Sequence, residues 1–190
     1  SAASDVYKRQ NETTMAEYFN FAMNHPGDAG RGKTLFESSE RLACATCHSI
    51  DGSGKLAGPD LMDIGDSLSR EDLIRAVLEP SSSIAIGFAN MTITTQDEEE
   101  HNGTLKDLTL DSMTLMGADG KEATIARAEI VEQYTSNISL MPEGLHLGLK
   151  QEEFSDLITY LSTLKQPETF LPHRKGMPSE ISILADPIPL

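Results

Sequence analysis

The sequence predicts a mainly α-helical domain with an inserted small antiparallel β segment. Two observations indicate this. Helical patterns with their own start and stop signals flank the centre of the chain, and short runs of β-branched residues with turn signals occupy about residues 88–135. The length of 190 residues suits one substantial domain, and no stretch approaches the ~20 apolar residues that span a bilayer.

Capping signals define the predicted helices. Residues 11–28 end a first helix at a Pro-Gly pair, and Asp28 then serves as N-cap for a second helix, Ala29 to Ser38. Ser69 caps a third helix that runs to Leu78, with acidic residues in its first turn. A last helix is predicted from about Lys150 to Leu164, because its apolar residues recur on one side.

The β segment shows alternation and turn chemistry instead. The acidic run Asp97–Glu100, followed by Asn102-Gly103, is interpreted as an exposed turn rather than a binding site, and Asp119-Gly120 as a hairpin turn. The predicted strands are Met91–Thr95, Leu108–Met116, Glu122–Ala126 and Glu129–Tyr134.

Three boundaries follow from composition. Residues 1–10, SAASDVYKRQ, resemble a translated sequencing adapter and are expected to be non-native. Residues 11–27 then form an N-terminal helical extension and residues 28–165 the domain itself. Residues 166–190 are a Pro-rich tail, which we expect to be either an extended linker or the truncated start of a further segment.

The chain is strongly acidic, with a formal net charge of −15. This charge disfavours nucleic acid and anionic membrane surfaces as partners. It permits a protein partner with a basic docking surface, while the alternative is that the charge serves only solubility.

The two cysteines are a single closely spaced pair, which indicates a local site and not a disulfide framework. Cys44-Ala45-Thr46-Cys47-His48 fits C-x-x-C-H, the attachment pattern of haem c. Two thiols three positions apart can reach the vinyl groups on one edge of a porphyrin, and His48 then lies beneath the ring with a nitrogen aimed at iron. Two alternatives stay open, a redox dithiol and a zinc site. The first requires a βαβ pattern that is missing here, and the second a further ligand.

Around this motif the chain resembles the class I cytochrome c family. Gly32 and Phe36 match the N-terminal helix of that family, and the segment Leu157–Leu161 matches its C-terminal helix, whose aromatic residue packs near the glycine. Because Gly32 has no side chain, two helices can approach closely there.

Gly58-Pro59-Asp60-Leu61 resembles the Gly-Pro loop of the same family, which often has Asn in place of Asp60. The resemblance implies that the Pro59 carbonyl accepts the Nδ1 proton of His48, which orients the ring and raises its basicity. It also implies that Leu61 packs on the haem face.

The sixth position of the iron is expected to hold a methionine, because class I cytochromes usually have one there. Met141 precedes Pro142 in an irregular segment, residues 136–149, just before the last helix. Its separation from His48 is long for a compact cytochrome, and the inserted β segment accounts for the excess. His146 in the same segment is the alternative ligand.

More narrowly, the chain resembles a haem-binding domain common in planctomycete and verrucomicrobial proteins. The matching stretches are CHSIDGSG, GPDL, SREDLI, EPSSSI and SLMPEGL, spread over roughly residues 28–165. The resemblance implies an extracytoplasmic, periplasmic monohaem cytochrome that is not an enzyme and passes electrons from a dehydrogenase to a respiratory acceptor. The alternative is a haem-based enzyme or gas sensor with an open or labile sixth ligand.

Overall fold

The structure is a computed structural model that describes residues 14–54 and 56–166. Residues 1–10 and the tail beyond residue 166 lie outside the described residues. The helices are α1 (14–24), α2 (Ala29–Glu37), α3 (Cys44–Cys47), α4 (Ile64–Ser67), α5 (Arg70–Leu78) and α6 (Gln151–Thr163). The strands are β1 (Asn90–Thr95), β2 (Glu100–Leu108), β3 (Ser112–Met116), β4 (Glu122–Ala126) and β5 (Ile130–Thr135).

The capping predictions agree with the observed helix starts. The Asp28 carboxylate accepts a hydrogen bond from the Arg31 amide at 2.8 Å and begins α2. Ser69 and Asp72 form a reciprocal capping box at the start of α5. The short helices α3 and α4 were not predicted, because a single turn has too few residues to show a periodic pattern. Within the described ranges, no helix is long and apolar enough to cross a membrane.

Helices α2 and α6 cross in close contact. A Cβ atom at Gly32 would lie 2.6 Å from the Asp156 carbonyl carbon and 2.7 Å from Tyr160 Cβ. The rings of Phe36 and Tyr160 pack beside this point with centroids 5.6 Å apart. The close approach predicted at Gly32 is therefore present, and glycine is required there because any side chain would overlap the facing helix.

A buried carboxylate stabilises the same crossing. Asp156 is 2% exposed, yet it accepts hydrogen bonds from the Asp28 amide at 2.5 Å and from Arg31 Nε at 2.6 Å. Burial opposes ionisation, but these hydrogen bonds outweigh it and lower the pKa of Asp156. Its position at the N-terminus of α2 also suits a negative charge.

The strands form one antiparallel sheet in the order β4-β3-β2-β1-β5. The sheet has its own small apolar core, separate from the core of the helices. The residues of that core are Ile93, Met113, Leu115 and Ile125. With 38% of the structure helical and 20% in strands, the prediction of a mainly α fold is correct only in part, because the sheet forms a substantial second unit.

One strand prediction and one turn prediction were wrong. Leu108–Met116 is not one strand, because the Thr109 amide bonds the Ser112 carbonyl at 2.9 Å and turns the chain between β2 and β3. Asn102 and Gly103 lie inside β2 rather than in a turn. The sequence reads as a turn there, but Gly103 is needed for contact with β3, since a Cβ atom would lie 2.5 Å from the Met116 carbonyl oxygen.

Candidate haem-binding site

The helical part encloses a cavity of about 250 Å³. Its walls come from α2, α5 and α6, from the segment around α3, and from the loops on either side of the sheet. Apolar side chains such as Phe36, Val77 and Leu157 make up most of the lining, and Leu61 lies among them. A cavity of this kind suits a largely apolar group with few polar contacts.

The two cysteines enter this cavity from one helical turn. Cys44 and Cys47 are the first and last residues of α3, and their thiols are free. Residues three apart lie on the same side of a helix, so both side chains line the cavity together with His48. The turn begins at Ala43, whose left-handed φ of 52° directs the chain into it.

The thiol chemistry argues against a redox dithiol. Burial, with a smaller contribution from Cys47, raises the pKa of Cys44 to about 11, and burial also raises the pKa of Cys47. Reactive dithiols depend instead on a lowered pKa. A zinc site is unsupported as well, because the residues that the structure describes contain no group of three or more His, Cys, Asp and Glu side chains suited to a metal ion.

His48 is held in the tautomer that a metal ligand requires. Its Nδ1 atom lies 2.9 Å from the Pro59 carbonyl oxygen, which can only accept, so Nδ1 carries the proton and Nε2 keeps its lone pair. Burial lowers the pKa of His48, while the Pro59 contact and the Asp60 charge oppose that shift. Gly58 packs against the imidazole ring with no room for a side chain, since a Cβ atom there would lie 2.6 Å from His48 Cε1.

Asp60 organises the loop behind His48, a role that sequence analysis missed. Its carboxylate accepts hydrogen bonds from the Ser49 hydroxyl at 2.5 Å and from the amides of Gly52 and Met62 at 2.9 Å and 2.8 Å. Burial opposes ionisation, but these hydrogen bonds lower the pKa of Asp60. The contact with the amide two residues ahead is an Asx turn, a local pattern that could have revealed this role.

Met141 lies in the wall of the same cavity as His48. Its amide donates to the Ser139 hydroxyl at 3.1 Å, and the Ser139 amide donates to the Ser81 hydroxyl at 3.2 Å, which attaches this segment to the turn after α5. Within residues 14–54 and 56–166, no other methionine lines the cavity.

The alternative ligand, His146, does not line this cavity. It is completely buried at 0% exposure and packs edge-on against Tyr18, with ring centroids 5.2 Å apart. Neither of its ring nitrogens has a hydrogen-bond partner among the described residues, and burial lowers the pKa of the ring. His146 instead borders a second cavity on the far side of the turn after α5, with Leu78 and Glu79.

Comparison with known families covers the cysteine and histidine part of this site, but not the segment that contains Met141. Residues 29–102 match the family model for cytochrome c. The match covers the attachment segment and the Gly-Pro loop, and it ends within β2, before Met141. No curated protein matches the chain. The match supports a cytochrome c-type domain and haem-based electron transfer in general.

The donor set fits haem c. Two thiols on one helical turn, a neutral imidazole with a free Nε2 and a thioether all line one apolar cavity. Such a cavity also favours a large apolar ring over a hydrated ion, because it has few groups to replace lost water contacts.

Proposed function

We propose that this chain is a monohaem c-type cytochrome that transfers single electrons. Cys44 and Cys47 would hold the haem covalently, and His48 and Met141 would be its axial ligands. The observation that carries the proposal is that these four side chains line one apolar cavity. The haem, when bound, supplies the one-electron chemistry of its iron.

The residues of the chain set the conditions for that chemistry. The Pro59 carbonyl polarises His48 through its Nδ1 proton and makes Nε2 a stronger donor. The Met141 thioether would supply a soft and neutral ligand, which would favour the reduced metal and raise the potential. The apolar side chains of α2, α5 and α6 line the cavity, and around a bound haem they would lower the local dielectric constant and favour the less charged state.

The electron route is part of the same proposal. The resemblance to planctomycete and verrucomicrobial domains supports a path from a dehydrogenase to a respiratory acceptor, and a periplasmic or otherwise extracytoplasmic location. The net charge of −15 supports a redox partner with a basic docking surface. Fractionation of cells that make the native protein tests the location, and mature protein in the cytoplasm would refute it.

Haem attachment is tested by mass spectrometry after co-expression with a haem c maturation system. We expect one added haem that remains bound after denaturation. The matched variants Cys44→Ala and Cys47→Ala should each leave a single thioether, and the double variant none. An unmodified wild-type mass, with colour lost on denaturation, would refute covalent attachment.

The axial ligands are tested by absorption spectroscopy of the ferric protein. We expect Met141→Ala to abolish the weak sulfur-to-iron band at the red end of the spectrum, to lower the midpoint potential and to admit small ligands. Met62→Ala and Met116→Ala are matched controls, because neither side chain lines the cavity. If His146→Ala changes the spectrum and Met141→Ala does not, the ligand assignment is wrong although haem attachment can stand.

A second candidate function is a haem-based enzyme or gas sensor with an open or labile sixth position. The comparison with the cytochrome c family is compatible with it, because the match ends before Met141 and does not include a sixth ligand. This candidate predicts a high-spin wild-type spectrum and rapid binding of carbon monoxide to the reduced protein. A low-spin spectrum with slow binding would exclude it.

A further inference from the structure

We infer that strand β2 positions the loop that orients His48, and that Thr104 is the main positioning residue. The inference rests on the proposed function, because it assigns to the inserted sheet a role in tuning the ligand of the haem iron. It is carried by side-chain contacts from the sheet to the carbonyl groups of Gly54, Leu56 and Ala57, just before Pro59 in the haem-binding part.

The first of these contacts is fully buried. The Thr104 hydroxyl donates to the Ala57 carbonyl oxygen at 3.0 Å, and the two residues are only 2% and 3% exposed. A buried carbonyl that loses its hydrogen-bond partner cannot turn to water, so it must either stay unsatisfied or move. Thr104 therefore fixes the position of Ala57.

A second contact comes from the same strand. Lys106 is two residues beyond Thr104, and its ammonium group donates to the Gly54 carbonyl at 2.7 Å and lies 3.4 Å from the Leu56 carbonyl. The pairing of β2 with β3 is irregular at Lys106, so the observed contacts, and not regular strand alternation, show that both donors reach the loop. In addition, the Ala118 carbonyl of the β3–β4 turn lies 3.8 Å from Cys47 Sγ in the attachment motif.

The loop in turn transmits its position to His48. Ala57 is followed directly by Gly58, whose amide donates to the Cys47 carbonyl at 2.8 Å and whose Cα faces the imidazole with no room for a Cβ atom. Pro59 then accepts the Nδ1 proton of His48. A displacement of Ala57 by a few tenths of an ångström must therefore change the contact between His48 and Pro59.

A change in the hydrogen bond between His48 and Pro59 should change the midpoint potential of the haem iron in a definite direction. A shorter hydrogen bond from Nδ1 makes Nε2 a stronger donor, which stabilises the oxidised iron and lowers the midpoint potential. Removal of the Thr104 hydroxyl relaxes the loop and weakens that hydrogen bond, so the potential should rise. A tenfold shift in the ratio of reduced to oxidised protein corresponds to 59 mV for one electron.

The test compares two buried threonines of the same sheet in the haem-loaded protein. Thr104→Val removes the hydroxyl that contacts the loop, whereas Thr92→Val removes one that bonds only within the sheet, to Asn102 at 2.6 Å. We expect Thr104→Val to shift the redox equilibrium threefold to tenfold toward the reduced form and to speed hydrogen exchange of the Gly58 amide at least tenfold. Thr104→Ser should restore both values, and Thr92→Val should change neither.

Equal responses to Thr104→Val and Thr92→Val would overturn the inference, because they would show general destabilisation of the sheet. An unchanged potential and unchanged Gly58 exchange in Thr104→Val would overturn it as well. Lys106→Met provides a second variant with a smaller expected effect in the same direction, since its contacts are less buried. If wild-type protein carries no covalent haem, the proposed function fails, and Gly58 exchange in the same set of variants still decides whether β2 holds the loop.

Discussion

The crossing of α2 and α6 provides the sharpest test of how the cavity is built. Gly32→Ala adds one methyl group where its carbon would lie 2.6 Å from the Asp156 carbonyl carbon and 2.7 Å from Tyr160 Cβ. Ordinary contact begins at 3.4 Å, so the two backbones must separate by roughly 1 Å at this point. The separation carries Phe36 on α2 away from Leu157 on α6, and both of these side chains line the haem cavity.

The expected cost follows from two opposing effects. Alanine in a helix interior is favoured over glycine by about 1 kcal/mol. Overpacking of a rigid contact costs about 1–3 kcal/mol and occasionally more, and here the obstructing atoms belong to backbone and to a Cβ atom that cannot swing away. Because these atoms are rigid, the upper part of that range, about 2–3 kcal/mol, applies, and we expect a net loss of about 1–2 kcal/mol in the free energy of unfolding, or about 2–8 °C in Tm.

The assay is chemical denaturation of the haem-loaded protein, followed by far-ultraviolet circular dichroism and by the haem absorption. Gly30→Ala is the matched control, because it lies in the same helix and its Cβ atom would meet only the end of the Asp28 side chain at 3.2 Å. We expect this control to be at least as stable as wild type, by up to about 1 kcal/mol, because it gains the helix preference of alanine without the clash. Equal stability of the Gly32→Ala and Gly30→Ala variants would refute the argument from close helix approach.

Three further predictions concern charge. Hydrogen bonds from Arg41, the larger contributor, and from the Lys150 amide lower the pKa of Glu153 from 4.5 to about 2, so these contacts contribute stability above pH 4.5 that is lost as the pH falls toward 2. In Arg41→Gln, the denaturation midpoint should fall less steeply than in wild type as the pH is lowered from 4.5 toward 2. The same steepness in both proteins would contradict this. Arg31→Ala should lower the denaturation midpoint at pH 7, because it leaves the buried Asp156 carboxylate with fewer donors; Asp156→Asn in the same background should recover part of the loss if the uncompensated charge is the cause. Electron transfer to a basic redox partner should slow as ionic strength rises from about 10 to 150 mM, whereas a rate independent of salt would assign the acidic surface to solubility alone.

The features that were predicted correctly depend on short sequence patterns. The spacing of Cys44, Cys47 and His48, the caps at Asp28 and Ser69, and the Asp119-Gly120 turn each involve residues within about four positions of one another. Such patterns act through backbone geometry that is nearly independent of the rest of the fold. The close contact at Gly32 was predictable for another reason, since it came from resemblance to the cytochrome c family and not from the residues alone.

The roles of Asp156, Thr104 and His146 depended on tertiary contacts. Asp156 lies within the predicted last helix, and its hydrogen-bond partners lie more than 120 positions away at the start of α2. Thr104 falls between the predicted turn at Asn102-Gly103 and the predicted strand Leu108–Met116, and only the placement of β2 against the haem loop brings it to Ala57. His146 and Met141 belong to the same segment. The path of the chain places Met141 in the lining of the cavity that contains His48, whereas His146 borders the second cavity.

The sequence by itself thus determined the attachment motif, the helix starts and the presence of an inserted β segment, because these depend on short-range chemistry. The tertiary structure alone decided which buried carboxylate joins α2 to α6 and which strand contacts the loop behind His48, and it separated Met141, which lines the cavity, from the alternative His146, which does not. The physical reason is that these contacts join residues distant in the chain. Their energies come from burial and hydrogen bonding that exist only after the helices and the sheet have come together.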